Sequence, residues 1–276
     1  MKGKIQTFVI KGRNANINGK EKKIFVYTPE DYTYANGQNY PVMLCFDGQN
    51  AFTECENYRH DAVDTVALDK ILEEKNKKTV VIGINNGEGK DIRNRQLTLS
   101  PKFGVANDFE PDDSYSRGTL EDFCEFLINA ALPFVKEKYN LKFDHNVTSV
   151  GASSGGLAAL YIGLKYPNIF CSVIALSPAT CLFAVKDWKN FLNKEKIDVN
   201  QKYLIYCGKD TEDKLEQYLY DCFGDDYYLS ASKIKSLLTK YGIKKENVKE
   251  AYKAKAYHNE RFWYYAVNDN IDFLTN

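Results

Sequence analysis

Gly151-Ala152-Ser153-Ser154-Gly155 sets a serine between two glycines in the pattern Gly-x-Ser-x-Gly. A serine hydroxyl is a weak nucleophile until a base takes its proton and an acid orients that base, so the partners must be found elsewhere in the chain. There are three histidines, His60, His145 and His258. His145 stands just before the apolar run that leads into the serine, at the amino end of a strand, where sheets of this kind do not build sites. His60 follows an early loop and reads as a rim or surface residue. His258 lies near the C-terminus between a strand-like and a helix-like segment, which fits the chain order serine, acid, histidine, and it is the expected base. The acid should follow the apolar run that ends at Cys207, where Asp210, Glu212 and Asp213 all stand within reach. Asp210 is preferred because it is nearest the strand end and so most firmly held, although acids at such a place also suit a solvated loop and helix start. The chemistry is acyl transfer, which also needs backbone N–H groups aimed at a developing oxyanion. One donor is expected from Ser154, and the other from Gln49 or Asn50.

The elements around these residues must supply a strand, a sharp turn and a helix. Val147-Thr148-Ser149-Val150 is β-branched and apolar, and Leu157-Ala158-Ala159-Leu160-Tyr161 after the pentapeptide has helical composition. Gly151 and Gly155 flank a turn where a side chain would collide with neighbouring backbone. A plain strand-to-helix turn or an anion cradle would share the glycines, but strand, turn and helix together predict a nucleophile elbow. Further apolar runs at 41–46, 79–84, 172–176 and 202–207 predict strands buried on both faces. Gln6–Ile10 and Lys23–Tyr27 predict an antiparallel pair joined by the Asn18-Gly19 turn. Helical spacing marks 62–74, 119–139 despite Pro133, 231–241 and the C-terminal segment to Leu274, with a capping helix over 182–197 and a strand near 248–252. Residues 85–115 read as a long irregular excursion of the kind that is often functional. Alternating strands and helices predict an α/β fold with a mainly parallel sheet covered on both faces, and nothing in the composition divides residues 1–276 into more than one domain.

Composition narrows the function. The 276 residues carry 37 lysines and arginines against 37 aspartates and glutamates, so net charge gives no support to a nucleic-acid partner. At 44% hydrophobic and 27% charged the chain is of ordinary globular composition. The first ten residues lack the apolar centre of a signal peptide, and no run approaches a membrane span, so a soluble cytoplasmic protein is expected. Seven cysteines without a Cys-x-x-Cys pair fit free thiols in a reducing compartment.

Several motifs together carry a resemblance. Phe46-Asp47-Gly48-Gln49-Asn50-Ala51-Phe52, Val81-Ile82-Gly83-Ile84-Asn85-Asn86-Gly87, Arg95 with Ser100-Pro101, the serine pentapeptide with Gly156-Leu157, Tyr166-Pro167-Asn168-Ile169-Phe170, and His258-Asn259-Glu260 with Trp263 are similar, nearly end to end, to the esterase family of α/β-hydrolases that includes enterochelin, feruloyl and esterase D-like enzymes. The resemblance implies the α/β-hydrolase fold and a serine carboxylesterase that acts on a small-molecule ester without metal or cofactor. It places Asp47, Gly48, Arg95 and Trp263 about the substrate pocket. Two positions depart from the family pattern, Thr98 for a glutamate and Thr211 for the acid. Alternatives are a specialised esterase for a siderophore trilactone or a feruloyl or acetyl sugar ester, with Tyr115, Phe183 and Trp188 about the acyl pocket, and a catalytically weak scaffold kept for binding. A homo-oligomer is compatible with either.

Overall fold

The computed structural model describes residues 3–11, 21–53, 65–86, 90–104, 118–209 and 226–275. Among the described residues eight strands form one sheet: β1 (Lys4–Lys11), β2 (Glu21–Thr28), β3 (Val42–Phe46), β4 (Val80–Ile84), β5 (Val147–Ala152), β6 (Phe170–Leu176), β7 (Lys202–Lys209) and β8 (Val248–Ala254). Their order is β1-β2-β4-β3-β5-β6-β7-β8, with β1 and β2 antiparallel and β3 to β8 parallel. The expected opening pair is therefore present, in register from Lys4 opposite Thr28 to Lys11 opposite Glu21, while the Asn18-Gly19 turn lies outside the described residues.

Alternation along each central strand explains how both faces come to be covered. Val42, Leu44 and Phe46 point into one apolar cluster and Met43 and Cys45 into the other; Tyr203, Ile205 and Cys207 oppose Leu204 and Tyr206 in the same way. A strand with apolar residues at every position has no solvent face, so it must lie between two layers. On one side pack α3 (Leu120–Phe126), α4 (Leu132–Lys138), α5 (Ser154–Lys165), α6 (Val185–Leu192) and α7 (Tyr227–Lys240). On the other pack α1 (Leu68–Glu74) and α8 (Glu260–Thr275). This is the α/β-hydrolase fold expected from the sequence.

Two segments differ from expectation. Residues 85–115 are not wholly irregular, because α2 (Lys90–Leu97) lies within them. The predicted 119–139 helix is interrupted at Leu127–Ala131 by a π-helical turn. Pro133 has no N–H to donate into the preceding turn, and a wider turn just ahead of it accommodates the break.

The topology itself points to a site. From β3 the chain goes to β4 on one side, then returns to place β5 on the other. Loops leaving the carboxyl ends of β3 and β5 thus diverge, opening the crevice in which such sheets bind ligands.

Candidate active site

Ser153 follows directly on β5 with φ 57° and ψ −125°, a conformation that residues other than glycine rarely adopt. Backbone bonds hold it there. Its N–H donates to Leu176 O at 2.9 Å, and its carbonyl accepts from Gly156, Leu157 and Ala179 at 2.9, 3.1 and 3.0 Å. A Cβ on Gly151 would stand 2.0 Å from the Gly155 oxygen, so the strand can approach the helix this closely only as glycine. The hydroxyl is thereby presented at the carboxyl edge of the sheet, at the head of α5.

A cavity of about 290 Å³ opens at that point. Ser153 and His258 both line it, with Asp47, Gln49, Asn50, Arg93 and Trp263 around them. His258 reaches the cavity because β8 ends beside β7: the Lys255 N–H donates to Lys209 O at 2.9 Å, and Gly208 packs on Ala256 so closely that a Cβ would lie 2.5 Å from its oxygen. The imidazole is held between two aromatic rings, stacked on Tyr227 with centroids 4.2 Å apart and edge-on to Trp263 at 5.0 Å. Trp263 is fixed in turn by its Nε1–H, which donates to Ser177 Oγ at 3.2 Å. Aromatic contacts of this kind prefer stacked or edge-on geometry and so restrict ring orientation.

The turn after β3 faces the serine. Asp47 is left-handed, at φ 55° and ψ 45°, and begins a single 3-10 turn over Gly48–Asn50. The Asn50 N–H donates to Asp47 O at 2.7 Å. Of the two oxyanion candidates on this turn, Asn50 therefore has its donor engaged within the turn itself. Ser154, the other candidate, is buried as the first residue of α5. Gly48 does not line the cavity as expected. It packs against β4, where a Cβ would lie 2.4 Å from the Gly83 carbonyl carbon.

Arg95 also departs from expectation, being exposed on α2 and absent from the cavity lining. Arg93 lines the cavity instead, with Nε and Nη2 donating to Asp47 Oδ1 and Oδ2 at 2.7 Å each. At about 100° per residue, Arg93 falls on the face that Asn94, Gln96 and Leu97 bury and Arg95 falls opposite it. Packing sets that face, where the Lys22 Nζ donates to Gln96 Oε1 at 2.7 Å. The sequence does not single out Arg93, because the face that turns inward buries Asn94 and Gln96 and leaves no apolar stripe to mark it.

Phe183, Trp188 and His145 lie apart from the cavity lining. Phe183 and Trp188 pack edge-on against Phe103 at 5.3 and 5.1 Å in the layer under α6. His145 sits at the amino end of β5, with Nδ1 2.9 Å from Pro167 O. Tyr115, His60, Asp210, Glu212 and Asp213 lie outside the described residues.

A sequence model described as "Putative esterase" matches residues 15–272. The chain is 23% identical over 160 residues to the uncharacterized protein YjcH of Bacillus subtilis, a match spanning 58% of this chain and 56% of that relative. Among solved structures, the siderophore hydrolase EstA from Aspergillus nidulans superposes with a TM-score of 0.72 at 16% identity, covering 99% of this chain and 94% of EstA. The BES protein from Bacillus cereus gives 0.66 at 18%, covering 98% and 94%. The enterobactin esterase FES from Shigella flexneri gives 0.67 at 15%, covering 100% of this chain and 60% of FES. At these identities the structural matches report the fold.

Proposed function

The chain belongs to the esterase family of α/β-hydrolases, and on that premise we propose that it cleaves carboxylic esters through an acyl-enzyme on Ser153. The observation that carries this reading is the meeting of Ser153, at its strained turn, with His258 in one cavity. His258 takes the hydroxyl proton as Ser153 Oγ attacks the ester carbonyl. The oxyanion of the tetrahedral intermediate is stabilised by the N–H groups of Ser154 and Gln49. Collapse expels the alcohol, which takes the proton from His258 and leaves the acyl group on the serine. Water, deprotonated by His258, then attacks the acyl-enzyme; the acid departs and Ser153 recovers its proton.

Asp210 is assigned as the acid that orients His258. Support comes from the bond between Lys255 and Lys209, which brings the end of β7, one residue before Asp210, against the segment leading to His258. The substrate is a small-molecule ester. Apolar Ala51, Val66, Val150 and Leu176 on the cavity wall favour a compact acyl group, and the fold shared with siderophore hydrolases makes a siderophore ester the first specialised substrate to try.

The test is hydrolysis of p-nitrophenyl esters of graded chain length and a feruloyl ester by wild type, Ser153→Ala and His258→Ala, with fluorophosphonate labelling in parallel. Activity and labelling that vanish with Ser153→Ala are expected. Full activity without Ser153 would overturn the reading. Asp210→Asn should lower kcat far more than Asp213→Asn, because a triad acid fixes the imidazole tautomer; the reverse order would move the assignment along the loop.

A further inference from the structure

One carboxylate ties the turn after β3 to the rest of the cavity, and we propose that Asp47 and Arg93 form a positioning pair for the acyl-transfer step, holding the Gln49 turn in the geometry that receives the oxyanion. This deepens the reading of Ser153 as nucleophile and rests on it.

Asp47 is 9% exposed, and donors from three segments converge on it. Arg93 on α2 supplies two parallel bonds of 2.7 Å, one to each carboxylate oxygen. Asn86, just after β4, donates its Nδ2–H to Oδ1, as does Gln49 Nε2–H at 3.2 Å. The other oxygen, Oδ2, faces the elbow so closely that a Cβ on Gly155 would lie 2.8 Å from it. The carboxylate thus touches the loops after β3, β4 and β5 together with α2. A bidentate guanidinium fixes both the distance and the plane of its partner, which a point charge does not.

The backbone shows what this bracing accomplishes. Asp47 is left-handed, a conformation that aspartate tolerates better than most residues with a Cβ, and the bonds from Arg93 and Asn86 brace it from outside the turn. Its carbonyl accepts the Asn50 N–H at 2.7 Å, and Gly48 O accepts from Ala51 at 3.3 Å, so the turn is tight and follows Asp47 as a unit. The direction of the Gln49 N–H is a consequence of the Asp47 backbone. With Arg93 removed, the carboxylate loses its two strongest donors and the turn its anchor, while the serine and histidine keep their own supports. The loss should fall on the transition state, since the apolar wall proposed for the acyl group is built from Ala51, Val66, Val150 and Leu176 and not from this pair.

The experiment compares Arg93→Ala, Asp47→Asn and the double variant with wild type on p-nitrophenyl acetate, with Arg95→Ala as a control from the exposed side of the same helix. Arg93→Ala should lower kcat by about 100-fold, the order lost with one oxyanion donor, and change KM by less than about threefold. Added methylguanidinium should restore part of that loss in Arg93→Ala and nothing in Ser153→Ala. Asp47→Asn, which keeps its shape, should show a loss of the same kind, and the double variant should be no worse than the poorer single one. A raised KM with unchanged kcat would make Arg93 a substrate contact and overturn the inference, as would equal kcat losses in Arg93→Ala and Arg95→Ala. If wild type fails to label with a fluorophosphonate at Ser153, the nucleophile reading itself falls and takes this inference with it. Labelling together with an unaffected Arg93→Ala removes only the inference.

Discussion

Replacing Ser153 by glycine should stabilise the protein, and replacing it by alanine should not. Ser153 sits at φ 57° and ψ −125°, the first corner of a type II′ turn, which glycine alone occupies without strain. Holding a residue with a Cβ in such a sparsely populated region costs on the order of 1–3 kcal/mol. Both variants keep the backbone bonds that define the turn, from the Ser153 N–H to Leu176 O and to the Ser153 carbonyl from Gly156, Leu157 and Ala179. What differs between them is the Cβ. Glycine removes the strain but gains freedom in the unfolded chain, which takes back about 0.5–1 kcal/mol. The net gain of Ser153→Gly over Ser153→Ala is therefore about 0–2.5 kcal/mol, centred a little above 1 kcal/mol, or roughly 2–5 °C in Tm for a chain of this size. Urea unfolding followed by circular dichroism reads the difference as a shift in midpoint at constant slope. Both variants lack the nucleophile, so activity does not bias the comparison. A glycine variant that unfolds at lower urea than the alanine variant would refute the claim that the elbow stores strain at this residue.

Gly151→Ala should cost about 3 kcal/mol, the upper end for overpacking, because its Cβ would meet the backbone oxygen and carbon of Gly155 at 2.0 and 2.3 Å and neither can swing away. Gly156→Ala, with contacts of 3.0 Å to Leu176 O and 3.1 Å to Pro178 Cα, should cost less, and urea midpoints in the opposite order would contradict the packing argument. Trp263→Phe removes the Nε1–H bond to Ser177 and alters the edge that meets His258; about 1–2 kcal/mol of stability should be lost, with kcat falling more than KM changes. Burial raises the phenol of Tyr166 to about 12 and pushes those of Tyr27, Tyr139, Tyr161, Tyr203 and Tyr206 higher still. Stability from keeping these groups neutral is complete below the unfolded value near 10 and is lost as pH rises from there through the folded values, so Tm should decline above pH 10 while tyrosinate absorbance lags behind that of the urea-unfolded chain.

What the sequence displayed and what it concealed divide along a physical line. The parallel sheet was legible because β3 to β7 carry apolar residues on both faces, and the elbow was legible because strand, glycines, serine and helix are contiguous. The short helix α2 was not. Of its eight residues only Ile92 and Leu97 are apolar, and it buries Asn94 and Gln96 instead, so hydrophobic periodicity carries no trace of it. The inward arginine was hidden with it, since Arg93 and Arg95 are equivalent in composition and differ only in which way the helix turns. Likewise nothing in Gln49-Asn50 says which N–H is engaged; the bond from Asn50 to Asp47 O decides it.

The same line explains why the site stands where it does. Ser153 and the Gln49 turn follow adjacent parallel strands, so their separation is set by backbone pairing between β3 and β5. His258 needs another route, because it comes from beyond β8, at the far end of the sheet from β3. The chain spans that distance by turning back along the carboxyl edge after Lys255, another left-handed residue, whose N–H is tied to Lys209. Left-handed backbone thus recurs at the ends of the strands that feed the cavity: Asp47 after β3, Ser153 after β5, Ser177 after β6 and Lys255 after β8. None of these four is glycine, and each makes a turn held by bonds to a neighbouring strand or loop. Strain spread over several turns and supported by the sheet is how a rigid scaffold keeps several loops converging on one cavity. It follows that Lys255→Gly should gain stability as Ser153→Gly does but loosen the turn that carries His258, whereas Asp47→Gly, which takes the buried acceptor from Arg93 and Asn86, should lose it.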